Sequence, residues 1–308
     1  MFDFLRRNRK KVSDITALAN TFADQDNVLA DNKNAITLYE KAAANNDPDA
    51  LLMLGLYYGT GKYVEKDEVK ALDYYKKASE LGNTMAMYNL AYCYHMGIGT
   101  NRNYTNAINW YKRAADAGEV SAAINLGMMY MSDCGASGKY EQGYEYIRQA
   151  ADKGNTQAFV LLATFTMTGK GCVKDEKKAF DLFMKAALLK NEAAQYNLYN
   201  CYLDGIGTKK SNSKAVIWLK KSAEAGYLPA MEQLADNYCE GKNGFHISYH
   251  KALKLYESAV RKGSIYSVEK LAESYREGIF TEQNPELADK YQELAEQYAD
   301  SRKQGEIV

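Results

Sequence analysis

Two stretches decide the reading of this chain: LAYCYHMGIGTNRN, Leu90 to Asn103, and LYNCYLDGIGTKKS, Leu198 to Ser211. Both contain GIGT, which is either a glycine loop that cradles a phosphate or a corner between two helices. The copies lie 108 residues apart, and 108 is three steps of 36. Sliding the chain against itself by 36 residues brings most of it into register, so the two strings are one position of an internal repeat. In that register the units begin at Val12, Pro48, Thr84, Val120, Thr156, Glu192, Leu228 and Ile265, with one inserted residue in the seventh.

Working outward from GIGT, each unit reads as two amphipathic helices. Its seventh position is always leucine: Leu18, Leu54, Leu90, Leu126, Leu162, Leu198, Leu234 and Leu271. The next residue is Ala or Gly except at Tyr199, and four residues after the leucine stand Tyr58, Tyr94, Tyr130, Tyr202, Tyr238 and Tyr275, with Phe22 and Thr166 in the other two copies. Those spacings make one helical face. In the second half small residues such as Ala71, Ala107 and Ala179 precede large ones such as Leu38, Tyr74, Trp110, Tyr146, Leu182, Trp218, Leu255 and Tyr291, which are expected to fill the gaps between layers.

The boundaries carry matching chemistry. Asp31, Asp67, Asn103, Asp175, Ser211, Ser248 and Asn284 stand where a side chain caps the second helix, and only Lys139 breaks the series. Gly82, Gly118, Gly154, Gly226 and Gly263 close that helix. A helix pair cannot bury its apolar face alone, so the units are expected to stack into an all-α, right-handed α-solenoid with one continuous core. The boundaries place a basic tail at 1–11, a single solenoid domain of eight repeats at 12–300 (12–47, 48–83, 84–119, 120–155, 156–191, 192–227, 228–264 and 265–300) and a C-terminal tail at 301–308. Asp14 in the first unit and Gln292 with the polar run Glu293 to Lys303 in the last read as caps.

Bulk properties narrow the function. With 39 basic and 39 acidic residues, nothing favours nucleic acid or an anionic membrane as a partner. No segment has the apolar length of a membrane span, and MFDFLRRNRKK lacks the apolar core of a secretory leader. Five cysteines, Cys93, Cys134, Cys172, Cys201 and Cys239, at irregular spacing fit reduced thiols. The expectation is a cytoplasmic protein.

The repeated pattern, clearest in AMYNLAYCYHMGIGTNRNYTNAINWYKRAADAG (Ala86 to Gly118) and ALLMLGLYYGTGKYVEKDEVKALDYYKKASELG (Ala50 to Gly82), resembles the Sel-1-like repeat family, a relative of the tetratricopeptide repeat. The resemblance implies a bacterial adaptor or scaffold for protein complexes rather than one chemistry. It also implies a second reading, because some bacterial relatives neutralise a cognate toxin or effector. Some secreted relatives staple each helix pair with a disulfide, but no unit here holds two cysteines.

Candidate sites follow. A phosphate loop needs a strand before its glycines, whereas a helix precedes Gly61, Gly97, Gly169, Gly205, Gly241 and Gly278, so these are read as turns. Cys239, His246 and His250, even with Glu240, do not make a convincing closed set of zinc ligands, so no metal site is expected. No catalytic constellation is apparent, and neither an enzyme nor a cofactor is expected. The tetratricopeptide-like geometry implied by the resemblance turns residues two before, two after and five after the leucine toward a concave groove. In units two to six these include Leu52, Leu56, Tyr88, Tyr92, His95, Ile124, Met128, Met131, Val160, Met167, Tyr196, Asn200 and Leu203, and in units seven and eight Glu232, Asp236, Glu269, Glu273 and Arg276. Asn89, Asn125 and Asn197, directly before the leucine, add amides able to hold a peptide backbone. The expected partner is a peptide or helical segment of a protein, apolar along most of the groove with a basic flank at the acidic end.

Overall fold

The computed structural model describes residues 12–20, 23, 32–132 and 138–303. Among them the secondary structure is helical, with no strand: α1 (12–20), α2 (Asn32–Ala43), α3 (Pro48–Thr60), α4 (Glu68–Glu80), α5 (Thr84–Met96), α6 (Tyr104–Asp116), α7 (Val120–Met131), α8 (Tyr140–Asp152), α9 (Thr156–Thr168), α10 (Glu176–Leu188), α11 (Glu192–Asp204), α12 (Asn212–Glu224), α13 (Leu228–Glu240), α14 (Tyr249–Val260), α15 (Ile265–Glu277) and α16 (Pro285–Lys303). Odd-numbered helices are the first of each pair and even-numbered helices the second. The chain forms two compact units, Met1–Asn155 and Thr156–Val308, divided where the fourth repeat meets the fifth. The basic tail at 1–11, Phe22, Asp31, Cys134 and the residues after 303 lie outside the described residues.

The helix starts follow from their caps. Asp67 accepts from the Lys70 amide at 2.9 Å, Asn103 from Asn106 at 3.0 Å and Asp175 from Lys178 at 2.8 Å, each satisfying a first-turn donor that has no partner inside the helix. Ser248 is the exception, since its side chain makes no capping bond. Lys139, which breaks the series in sequence, makes none either.

GIGT is a corner. Gly97 sits at φ 80° and its N–H donates to the Cys93 carbonyl at 2.8 Å, ending α5 in the left-handed conformation that glycine adopts without strain. The second glycine has a different duty. A Cβ on Gly99 would overlap the carbonyl oxygen of Glu68, and one on Gly207 would overlap that of Glu176. The corner therefore packs directly on the first turn of the preceding pair's second helix.

Within a pair, the small residue after the leucine lets a large side chain approach from twenty positions downstream. In the first unit the Tyr75 ring lies where a Cβ on Gly55 would be, 2.5 Å from its Cε1, and Ile147 stands in the same relation to Gly127. Ala19 with Tyr39 and Ala91 with Tyr111 repeat the match, each pair within one core cluster. In the second unit Ala235 and Tyr256 share one cluster in the same way, twenty-one positions apart because of the inserted residue. Tyr39, Tyr111, Ile147, Phe183, Leu219 and Tyr256 are all essentially inaccessible to solvent. Each such side chain contributes about 1.5–3 kcal/mol of burial. Tyr199, which breaks the small-residue rule, faces Leu219 in this register, so a large residue on α11 is matched by a smaller one on α12.

Two sequence expectations need correction. Leu18 is 49 % exposed while Ala19 and Thr16 are buried, so the first repeat turns its leucine outward. The second-helix side chains named as gap fillers, Leu38, Tyr74, Trp110, Tyr146, Trp218, Leu255 and Tyr291, are only half-buried, and the residue directly after each of the first four fills the core. The half-buried rings instead lie against first-helix tyrosines, as in the Tyr58–Tyr74 stack at 5.7 Å and the Tyr275–Tyr291 stack at 5.8 Å.

Gly99→Ala should destabilise the protein by about 2–4 kcal/mol in urea unfolding, because a backbone overlap adds to the positive φ. Gly82→Ala, at φ 93° with nothing within 4 Å, should cost about 1–2 kcal/mol. Equal midpoints for the two variants would contradict the packing role of the second glycine.

Candidate functional site

The residues expected to line a groove fall on two faces, described unit by unit. In the first unit the face is carried by α3, α5 and α7. Leu52 and Leu56 are half-buried against the cluster of Ala71, Tyr75, Leu90 and Cys93. Tyr88 lies with its ring 5.8 Å from that of Tyr111. The Asn125 amide donates to the Tyr111 hydroxyl at 3.2 Å and to the Tyr88 hydroxyl at 3.4 Å, so this asparagine ties two tyrosines of the preceding repeat together. Asn89, its counterpart on α5, is half-buried.

One turn further along the same helices, four residues after Tyr88 and three after Asn125, stand Tyr92, 41 % exposed, and Met128, 39 % exposed. His95 packs edge-on to Tyr104 at 5.9 Å and Tyr111 at 6.2 Å. Burial, with Arg102 acting in the same direction, holds its imidazole below the usual histidine range, so the ring is neutral at pH 7. Ile124 and Met131, expected on the face, are instead buried. Met131 is packed onto α8, where its Cγ lies close to Gly143. Met85 and Met96, both exposed, were missed, although positions 85, 88, 92 and 96 continue one helical stripe.

In the second unit the face is carried by α9, α11, α13 and α15. Met167 is half-buried, as is Tyr196, whose ring lies 5.8 Å from Tyr199 and 5.6 Å from Tyr227. Burial raises the Tyr196 hydroxyl pKa, and Asn200, hydrogen-bonded to it, opposes that shift. Asn197 turns back on its own helix and donates to the Ala193 carbonyl at 2.9 Å, which takes that amide from the face.

The carboxylates are largely engaged inside the unit. Glu232 accepts from the Ser264 hydroxyl at 2.5 Å, and Glu273 pairs with Lys270 at 3.2 Å. Asp236 accepts from Tyr256 at 2.6 Å and from Tyr266 at 3.0 and 3.1 Å. Burial and the Asp236 charge push both tyrosine hydroxyls above their ordinary range, so they remain donors to the carboxylate. Glu269 is exposed, and Arg276 lies 3.6 Å from Asp289. The acidic expectation thus becomes an aromatic–carboxylate arrangement, with the exposed Tyr266 as the member that spacing from Leu271 did not single out.

Among the described residues no group of three His, Cys, Asp or Glu side chains is placed to hold a metal ion, and no helix is long and apolar enough to cross a membrane. Cys239 lies 3.8 Å from the Tyr256 hydroxyl, while His246 and His250 are exposed. Burial raises the Cys93 and Cys201 thiols to about 11, which keeps them protonated and unreactive at neutral pH.

The lowered His95 pKa has a consequence for stability. The unfolded chain binds a proton near pH 6.5 and the folded ring resists it, so the contribution is present above that pH and is lost as pH falls through the folded value. Between pH 7 and pH 5 the urea midpoint of the native chain should fall further than that of a His95→Gln variant. Parallel falls would show that His95 is not the group responsible.

Comparison with known proteins agrees with this architecture. The Sel1 repeat pattern matches residues 17–47, 48–83, 84–119, 120–155, 160–191, 192–227, 228–264 and 266–295. No curated protein matches the chain. Among solved structures, c5321, a protective antigen of uropathogenic Escherichia coli with an SLR fold, is 24 % identical with a TM-score of 0.70 over 96 % of this chain and 71 % of its own. A Sel1 repeat protein from Oxalobacter formigenes is 29 % identical with a TM-score of 0.68 over 73 % of this chain and 90 % of its own. Immunity protein PA5088 from Pseudomonas aeruginosa is 22 % identical over 70 % of this chain and 81 % of its own, with a TM-score of 0.44, a level that bears on neither detailed geometry nor function. Eight repeat matches, in register with eight helix pairs built on the same leucines and glycines, make this chain a member of the Sel1 repeat family.

Proposed function

We propose that this protein is a non-enzymatic adaptor whose first unit holds an apolar segment of a partner protein on the face of α3, α5 and α7. Proteins of the family mediate protein–protein interactions. The observation that carries the reading is that exposed Tyr92 and Met128 lie one turn beyond Tyr88 and Asn125, side chains that are already hydrogen-bonded and packed with Tyr111. A tyrosine offers a large contact area at low conformational cost, and methionine adapts to an irregular partner. Because the supporting side chains are already ordered, little freedom remains to be lost on binding. In the second unit, taken by itself, Asp236 with Tyr266, together with Glu269, favours basic side chains, which supports a partner that also carries Lys or Arg.

The test is a double substitution, Tyr92→Ala with Met128→Ala, in the full chain. A partner isolated with the native protein and identified by mass spectrometry should bind the variant at least about tenfold more weakly, as expected when central aromatic anchors are removed. The variant's unfolding midpoint should be little changed, since both side chains are exposed. Unchanged affinity in a folded variant would remove this face as the binding site.

A further inference from the structure

The one-residue insertion of the seventh repeat creates the only Asn-Gly pair in the chain, Asn243-Gly244. It forms a tight turn: the Phe245 N–H donates to the Lys242 carbonyl at 3.0 Å, and Asn243 and Gly244 have φ 56° and 89°. Two consecutive left-handed residues define a type I′ turn, for which Asn-Gly is the preferred pair. Phe245 fixes the turn from the far side, buried against the Tyr238 ring at 5.0 Å.

The Asn243 side chain points into the protein. Its amide nitrogen donates to Asn237 Oδ1 at 3.0 Å and to the Tyr199 hydroxyl at 3.3 Å. Asn237 is 1 % exposed and its own amide nitrogen lies 3.5 Å from the same Tyr199 oxygen. Tyr199 is the residue that breaks the small-residue rule, and at Asn237 the neighbouring repeats carry Cys201 and Ser274. The three departures meet at one point: the inserted loop is tied through Asn237 to α11 of the repeat before it.

We propose that Asn243 is a deamidation site whose rate is gated by this network. In the reaction the Gly244 backbone nitrogen, having lost its proton to base, attacks Asn243 Cγ. The new N–C bond forms, the protonated base returns its proton to Nδ2, and the Cγ–Nδ2 bond breaks so that ammonia departs, leaving a five-membered succinimide. Water then opens the ring at either carbonyl, giving aspartate or, through the main-chain carbonyl, isoaspartate. Glycine leaves the attacking nitrogen unshielded by a neighbouring Cβ. Closing the ring folds the side chain back over its own main chain, so the amide must leave Asn237 and Tyr199 and the turn must open. The folded protein therefore reacts only through a local opening, whose frequency the two hydrogen bonds set. The product is not neutral for the fold. A carboxylate cannot give Asn237 Oδ1 the donor it loses, and isoaspartate lengthens the backbone inside a two-residue turn.

The experiment incubates the full chain at mildly alkaline pH and follows the Asn243-containing peptide by mass spectrometry with isoaspartate detection, beside a free peptide covering Gly241 to His246. Asn243 in the native chain should convert measurably but more slowly than in the peptide. Tyr199→Phe, which keeps the ring and removes one acceptor, should raise the rate roughly two- to tenfold. Asn237→Ser serves as a second variant, with circular dichroism confirming that each folds. A native chain that converts as fast as the peptide, one that stays intact while the peptide is exhausted, or folded variants that react at the native rate would each overturn the proposal.

Discussion

The contact on which the architecture depends is that of a large side chain on the second helix of a pair against a residue with little or no side chain on the first. Tyr75 over Gly55 and Ile147 over Gly127 show it most directly, because no Cβ could be accommodated at either glycine without displacement. It brings the two helices close and fills the space between them, and it recurs in most repeats at a spacing of twenty residues, twenty-one in the seventh, where one residue is inserted. In the sixth repeat Tyr199 occupies the small-residue position and is buried all the same, its hydroxyl accepting from Asn243, so a small residue there is usual but not obligatory. The last repeat relaxes it: Gln292, twenty positions after Ala272, is polar and exposed.

The proposed binding face rests on the same contact. Tyr111 fills the space beside Ala91 with its ring, and its hydroxyl emerges where Asn125 of the next repeat can donate to it. Tyr88 shares that donor and His95 packs on the same ring. The residues that present Tyr92 and Met128 are thus held by the core, not by the surface. The second unit uses a comparable device, with Tyr256 buried in the core and its hydroxyl fixing Asp236.

Much of this was legible in the sequence because the relevant physics is local. Caps act across three residues, a left-handed glycine ends one helix, and a leucine every 36 residues marks one face. What stayed hidden depends on packing between helices. Neighbouring aromatics such as Tyr74 and Tyr75 cannot be ranked by period alone, although the glycine twenty residues earlier identifies Tyr75 as the buried one. Ile124 and Met131 fit the face by spacing, yet α7 carries them into the core. Asp236 could be counted as a groove charge from sequence, but its tyrosine partners lie 20 and 30 residues away on other helices. In Leu18 the repeat pattern persists in sequence where the first helix no longer obeys it.

The most direct measurement places a photo-crosslinking amino acid at position 92 of the full chain, on the tyrosine-backed face, and separately at position 109, an exposed site on α6. With the protein's isolated partner present, the account predicts a covalent adduct from position 92 and none from position 109. An adduct from position 109 alone, or equal yields from both, would contradict it.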